Sequence, residues 1–227
     1  MKILAIETAT EACSAALLVD GDIIDRFQVA PRRHGDLILS MVDELLNEAG
    51  FKLQQMDALA FGRGPGSFTG VRMATGVIQG LAFATDLPVA PVSTLAALAQ
   101  QALPLTEGKT VYAALDARMG EVYWCEYEVI NAALKQVSDE SVIAPLKIQT
   151  QEGKDAVGIG HGWDTYASEL TGLVNAGSLF LAADGLPRAK EVAQLAVSLV
   201  NDGQTVSAEH ALPVYLRDNV AKKKAQQ

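Results

Sequence analysis

Long apolar runs are missing from this chain of 227 residues, so nothing in it reads as a membrane-spanning helix, which needs about 20 consecutive apolar residues. The first residues, Met1-Lys2-Ile3-Leu4-Ala5-Ile6-Glu7, are interrupted too early by Glu7 and Glu11 to be a signal peptide and read as a strand. Cysteine is nearly absent. Cys13 and Cys125 lie in strand-like segments without pairing or metal spacing, which excludes a disulfide scaffold and makes them small buried hydrophobes in a reducing cytoplasm. Histidine is as scarce: His34, His161 and His210 are far apart, with no His-x-x-x-His pair, so no metal site is expected. Positive charge is in deficit, with 18 Lys and Arg against 27 Asp and Glu and a net charge of −9. An autonomous nucleic-acid binder is disfavoured, because such affinity rests on neutralising phosphates. The exception is the stretch 217–227, where Arg217, Lys222, Lys223 and Lys224 face only Asp218. It reads either as a solvated terminus or as an auxiliary RNA contact within a larger complex.

What is present is ordinary globular composition, 49% hydrophobic and 20% charged, in a length that suits one large domain or two small ones. Strands are expected at 3–6, 14–19 and 23–29, with Asp20-Gly21 as the hairpin turn between the last two. A helix over 36–49 follows, stopped by Gly50, then a strand at 58–61, a helix over 73–84, a strand at 89–92, and a helix over 95–103 introduced by Ser93 and Thr94. The order βββαβαβα predicts a mixed sheet flanked by helices. Composition turns polar around 104–109, which places a boundary between an N-terminal lobe, 1–106, and a degenerate C-terminal lobe, 107–227. There a strand at 111–118 and a second at 121–129 echo the first hairpin, before a loop-rich stretch to 154, a strand at 156–160 and a helix over 189–200.

The densest signal is the turn Gly62-Arg63-Gly64-Pro65-Gly66-Ser67-Phe68-Thr69-Gly70, between an apolar strand and an apolar helix. Such a turn can cradle a phosphate or carboxylate on helix N–H groups, or let another backbone come very close. It is not a P-loop, since Val71 and Arg72 stand where Lys and Ser or Thr are needed. Nor is it a nucleophile elbow, since Ser67 lacks the Gly-x-Ser-x-Gly frame. Ser67 or Thr69 can cap the helix. That helix is apolar nearly all round, its polar positions Arg72, Thr75 and Gln79 forming one narrow stripe, so it should be covered on more than one side. Gly76 and Gly80 lie together one turn apart and admit a close neighbour. The neighbour is either the helix 36–49 of the same domain or a partner protein. The candidate partner face is Leu37, Ile38, Met41, Leu45, Arg72, Met73, Gly76, Val77 and Gly80. Asp116, Arg118 and Glu121 form a second charged group, either an interlobe site or a hairpin ion pair.

The segments 3–14 and 61–72, together with Val92-Ser93-Thr94-Leu95, Leu115-Asp116-Ala117-Arg118-Met119-Gly120-Glu121-Val122-Tyr123 and Pro213-Val214-Tyr215-Leu216-Arg217, resemble the TsaB family, also called YeaZ. The stretch 130–212 carries little of the resemblance. It implies an α/β, two-lobed actin/hexokinase-like (ribonuclease H-like) fold with duplicated mixed sheets flanked by helices, in the cytoplasm. It further implies a non-catalytic role in forming N6-threonylcarbamoyladenosine at position 37 of tRNAs reading codons that begin with A. The implied partners are the catalytic subunit TsaD and the ATPase TsaE, with a homodimer when the chain is alone and tRNA met only through the complex. TsaD carries a histidine pair that this chain lacks. Glu7, Thr8 and Thr10 resemble the first phosphate-binding segment of actin/hexokinase-like ATPases, and with Asp116 and Arg118 they are the expected vestige of a nucleotide site. The family often has Asp where Glu7 stands, and Gly158, Gly160 and Gly162 do not resemble the adenosine loop, so hydrolysis is not expected. No cofactor is expected on the isolated chain, with ATP or ADP left open at the interface of the complex. An independent nucleotide hydrolase or peptidase of the same fold, and an interaction module with unrelated partners, remain the alternatives.

Overall fold

The computed structural model describes residues 1–105, 109–131, 133–150, 155–173, 179–182 and 185–217. Strands β1 (Lys2–Glu7), β2 (Ala12–Val19) and β3 (Asp22–Val29) form an antiparallel meander. Its second turn is built by Asp20 and Gly21, both at positive φ (51° and 102°), the two-residue geometry that matches strand twist. Strands β4 (Ala58–Gly62) and β5 (Val89–Val92) add to β1 in parallel, giving the order β3-β2-β1-β4-β5. Helix α1 (His34–Ala49) ends where Gly50 takes a left-handed φ of 71° and returns its N–H to Asn47 and Leu46. Helix α2 (Phe68–Phe83) joins β4 to β5. The second half adds β6 (Thr110–Arg118), β7 (Glu121–Ile130), β8 (Ala133–Gln136), β9 (Ser141–Ile143), β10 (Ala156–Ile159) and β11 (Leu179–Ala182). They form a second mixed sheet, β11-β10-β6-β7-β8, with β9 also pairing β7. The expected class, two mixed sheets flanked by helices, is what forms. Strands β8 and β9 fall in a stretch expected to be loop.

Alternation along the strands explains the layers. On the first sheet Leu4, Ile6, Leu17, Leu59 and Phe61 point to α1 and α2. The opposite face is built of Ile3, Ala5, Ala16, Ala58, Ala60 and Ala90. The alanines among them let α6 (Ala189–Asn201) come close through Ala189, Ala193 and Ala196, and its first N–H donates to the Ser14 hydroxyl at 2.9 Å. Helix α3 (Thr94–Gln100) lies beside α6 but sends Leu95, Leu98 and Ala99 onto Val111, Ala113 and Cys125 of the second sheet. The outer face of that sheet holds Tyr112 and Trp124, stacked at 5.2 Å, under Trp163 of α4 (Gly162–Thr165) and Leu170 of α5 (Ala167–Leu173). Each half thus lends a helix to the other, and residues 189–201 depart from the expected division at 106/107. Alanine-faced α6 fits the alanine-faced sheet, a complementarity between distant segments that a local shift of composition does not report.

From α6 the chain returns to the first lobe. Val206 bridges Val89, and Val214 N–H donates to Arg63 O at 2.8 Å. Among the described residues, no helix is long and apolar enough to cross a membrane.

Candidate functional site

The glycine-rich turn is settled by what surrounds it. A Cβ on Gly70 would stand 2.1 Å from the carbonyl oxygen of Thr8, and one on Gly66 2.6 Å from that of Ala9. Ser67 N–H donates to Ala9 O at 2.7 Å, and Thr8 Oγ1 donates to Gly70 O at 2.8 Å. The glycines therefore serve close approach of the β1–β2 loop to the start of α2. Ser67 caps that helix, its Oγ accepting from Gly70 N–H at 3.1 Å. The helix consequently begins at Phe68, five residues before its expected start, and Phe68, Thr69 and Gly70 belong to its first turn.

Glu7 and Thr8, expected at a nucleotide site, are fully buried. Glu7 Oε1 accepts from Ala9 N–H at 2.6 Å and Oε2 from the Thr94 hydroxyl at 3.1 Å. Thr94 Oγ1 in turn accepts from Gly64 N–H. Burial pushes the Glu7 carboxyl up to about 7 despite these hydrogen bonds. Its carboxyl ties β1, the turn and α3 together and does not reach solvent. This corrects the expected role: the long Glu side chain turns inward, against Gly62, where a Cβ would sit 1.8 Å from Oε2.

A cleft of about 730 Å³ lies between the lobes, lined among others by Thr10, Ser67, Asp116, Arg118, His161 and Arg217. It is lined by Thr10, Asp116 and Arg118 but not by Glu7 and Thr8. Asp116 Oδ1 accepts from Arg118 N–H at 2.7 Å and from the Tyr166 hydroxyl at 3.1 Å. The hairpin ion pair of the alternative reading does not form within the Asp116, Arg118 and Glu121 group. Glu121 instead pairs with Arg217, which also donates to Arg118 O. Arg217 is thus held by the second lobe, while Lys222, Lys223 and Lys224 lie outside the described residues. Gly158 packs on Trp163, and Gly160 and Gly162 lie against Ala114, so this glycine cluster serves the core. His34 Nε2 donates to Thr10 O at 2.9 Å. Glu140 bridges the lobes, its buried carboxylate accepting from Ser93 and from Arg63.

The candidate partner face divides in two. Ile38, Met41 and Leu45 are 1%, 7% and 0% exposed, packed on the first sheet within the chain, so they are removed from that face. The physical reason is that α1 has one apolar stripe and the sheet takes it. On α2, Arg72, Gly76 and Gly80 are exposed and Met73 and Val77 are half-buried, as is Leu37 on α1. A Cβ on Gly76 or Gly80 would have nothing within 4 Å among the described residues. The two glycines are therefore not explained by packing against α1. Sequence reasoning missed Phe83, 83% exposed, and Leu39 and Tyr215. Phe83 shares the phase of Arg72 and Gly76, and Leu39 falls between the polar positions Asp36 and Asp43, so helical phase could have found both.

Relatives align over this whole arrangement. The chain is 44% identical over 230 residues to an Escherichia coli (strain K12) protein named tRNA threonylcarbamoyladenosine biosynthesis protein TsaB, covering 99% of this chain and 98% of that one. The chain belongs to the TsaB (YeaZ) family. A Haemophilus influenzae protein of the same name is 42% identical, with 99% and 97% covered. The solved structure of YeaZ from Pseudomonas aeruginosa superposes with a TM-score of 0.88 at 45% identity, covering 95% of this chain and 99% of that one. The family model described as TsaD, tRNA N6-adenosine threonylcarbamoyltransferase, matches residues 28–225. The TsaB-like segments quoted above include the turn that packs on β1 and the Asp116 hairpin, both at the cleft.

Proposed function

We propose that this chain is a non-catalytic subunit required for N6-threonylcarbamoyladenosine formation at position 37 of tRNAs reading codons that begin with A. It acts by binding and supporting the catalytic subunit TsaD, together with TsaE, and meets tRNA through the complex. The observation that carries the reading is full-length similarity to proteins named for this biosynthesis. The walled-off Glu7 supports an accessory role, since a carboxyl sealed behind Ala9 and Thr94 offers nothing to a metal-bound water. The exposed Gly76 and Gly80 support a helix of another subunit as the missing neighbour, because each glycine costs about 1 kcal/mol in a helix and no contact among the described residues requires it. The same face would join two copies when TsaD is absent. No cofactor is assigned to the isolated chain; a nucleotide used by the complex would lie at its interface. The work is placed in the cytoplasm, where tRNA is modified.

The test is a strain depleted of this chain, with the modified nucleoside quantified in its tRNA. Loss of N6-threonylcarbamoyladenosine, restored by the wild-type chain but not by Gly76→Leu, is expected. Retained modification in the depleted strain contradicts the proposal.

A further inference from the structure

We propose that Phe68, Arg72 and Tyr215 form a preassembled socket for a carboxylate of the partner subunit, and that this socket sets where the partner's helix crosses α2. The inference rests on the partner-binding reading above and adds the polar chemistry of the contact. Arg72 stands in the second turn of α2, exposed. Its guanidinium carbon lies 3.7 Å from the centroid of the Phe68 ring, one turn earlier, and 5.6 Å from that of Tyr215. Its Nε donates to the Tyr215 hydroxyl at 2.7 Å. The two rings are themselves 5.8 Å apart. Three contacts therefore hold a side chain that is ordinarily mobile, while Nη1 and Nη2 have no partner among the described residues. A planar fork fixed in this way matches the two oxygens of a carboxylate, and its rotamer freedom is already spent before binding.

The surroundings select the ligand. Phe68 and Tyr215 leave large apolar rings on the surface, 55% and 42% exposed, the composition of an interface centre. The positive end of α2 lies one turn away and favours an anion. Gly76 and Gly80 follow at successive turns, each about 6 Å further along the axis, and mark where a neighbouring helix can come close. An acidic side chain about one turn from that crossing would enter the fork. A nucleic-acid phosphate is the less suited anion, because the chain carries a net charge of −9 and offers one free fork here. Tyr215 is positioned from both sides, by Val214 N–H on Arg63 O and by Arg217 on Glu121, so the C-terminal arm is part of the recognition surface.

The experiment is titration calorimetry of the full chain with TsaD from the same genome, at low and high salt. Arg72→Gln should weaken binding by about tenfold or more, the worth of one charge-assisted hydrogen-bonded contact, and flatten the salt dependence. Arg72→Lys should restore only part of the loss, and Tyr215→Phe should weaken binding severalfold with an unchanged melting temperature. Binding by Arg72→Gln within about twofold of wild type overturns the socket, and if Gly76→Leu still abolishes binding the partner face stands without it. Full rescue by Arg72→Lys also overturns it, since charge alone would then suffice. So does an Arg72→Gln variant that binds TsaD normally but weakens capture of tRNA by the complex. No binding by the wild-type chain overturns the partner reading and this proposal with it.

Discussion

Glu7 is sealed inside the first lobe. Its carboxyl turns into the protein, is desolvated, and titrates near 7 rather than at 4.5. A raised carboxyl pKa contributes stability that is present below the unfolded value and lost as pH rises from about 4.5 through about 7. The contribution at stake is at most about 3 kcal/mol, from 1.36 kcal/mol per unit. Glu7→Gln, which can still accept from Ala9 and donate to Thr94, should therefore lose less stability between pH 5 and pH 8 than wild type in urea unfolding. Identical pH profiles would contradict this account of the carboxyl. The glycines give the second residue-scale prediction. Gly70→Ala would drive a methyl into the Thr8 carbonyl, and should destabilise by about 1–3 kcal/mol, the range of overpacked sites. The sequence announced the turn but not which glycines face a backbone and which face open space, because that depends on the distant residues Thr8 and Ala9.

At the scale of elements, α2 carries the proposed partner surface. Gly80→Leu should leave the melting temperature unchanged or raised, since an exposed helix position gains propensity, by about 1 kcal/mol. The same change should abolish association with a partner. A variant that melts early would place Gly80 in a packed site and contradict the exposed face. The helices themselves were legible: apolar residues of α1 repeat at helical period, Gly50 stops it, and Asp20-Gly21 turns the hairpin. What periodicity could not assign was the consumer of each stripe. Ile38, Met41 and Leu45 satisfy the rule for a partner face as well as for a core face, and the sheet claims them. Helix α2 began earlier than expected because the Ser67 cap accepts from Gly70 N–H inside the glycine run.

At the scale of the molecule, the two lobes are interlocked. Helix α6 closes the first sheet, α3 closes the second, and Glu140 ties the turn at Arg63 and the cap at Ser93 to the far lobe. Glu140→Ala leaves Arg63 and Ser93 without this acceptor, and should cost about 1–3 kcal/mol. Amide hydrogen exchange should speed up at the start of α3 and along β9. Unchanged exchange would contradict the clamp. The duplicated hairpins at 2–19 and 110–130 could be read from sequence, whereas the helix exchange could not. Its signal is alanine on both surfaces, and alanine also suits any exposed helix. The account as a whole turns on one proposed contact, a partner seated on the exposed stripe of α2. Light scattering on gel filtration, with TsaD from the same genome added to the wild-type chain or to Gly76→Leu, tests it most directly. A one-to-one species with wild type that is missing with the variant is the expected result; no such species with wild type, or the same species with both, would contradict it.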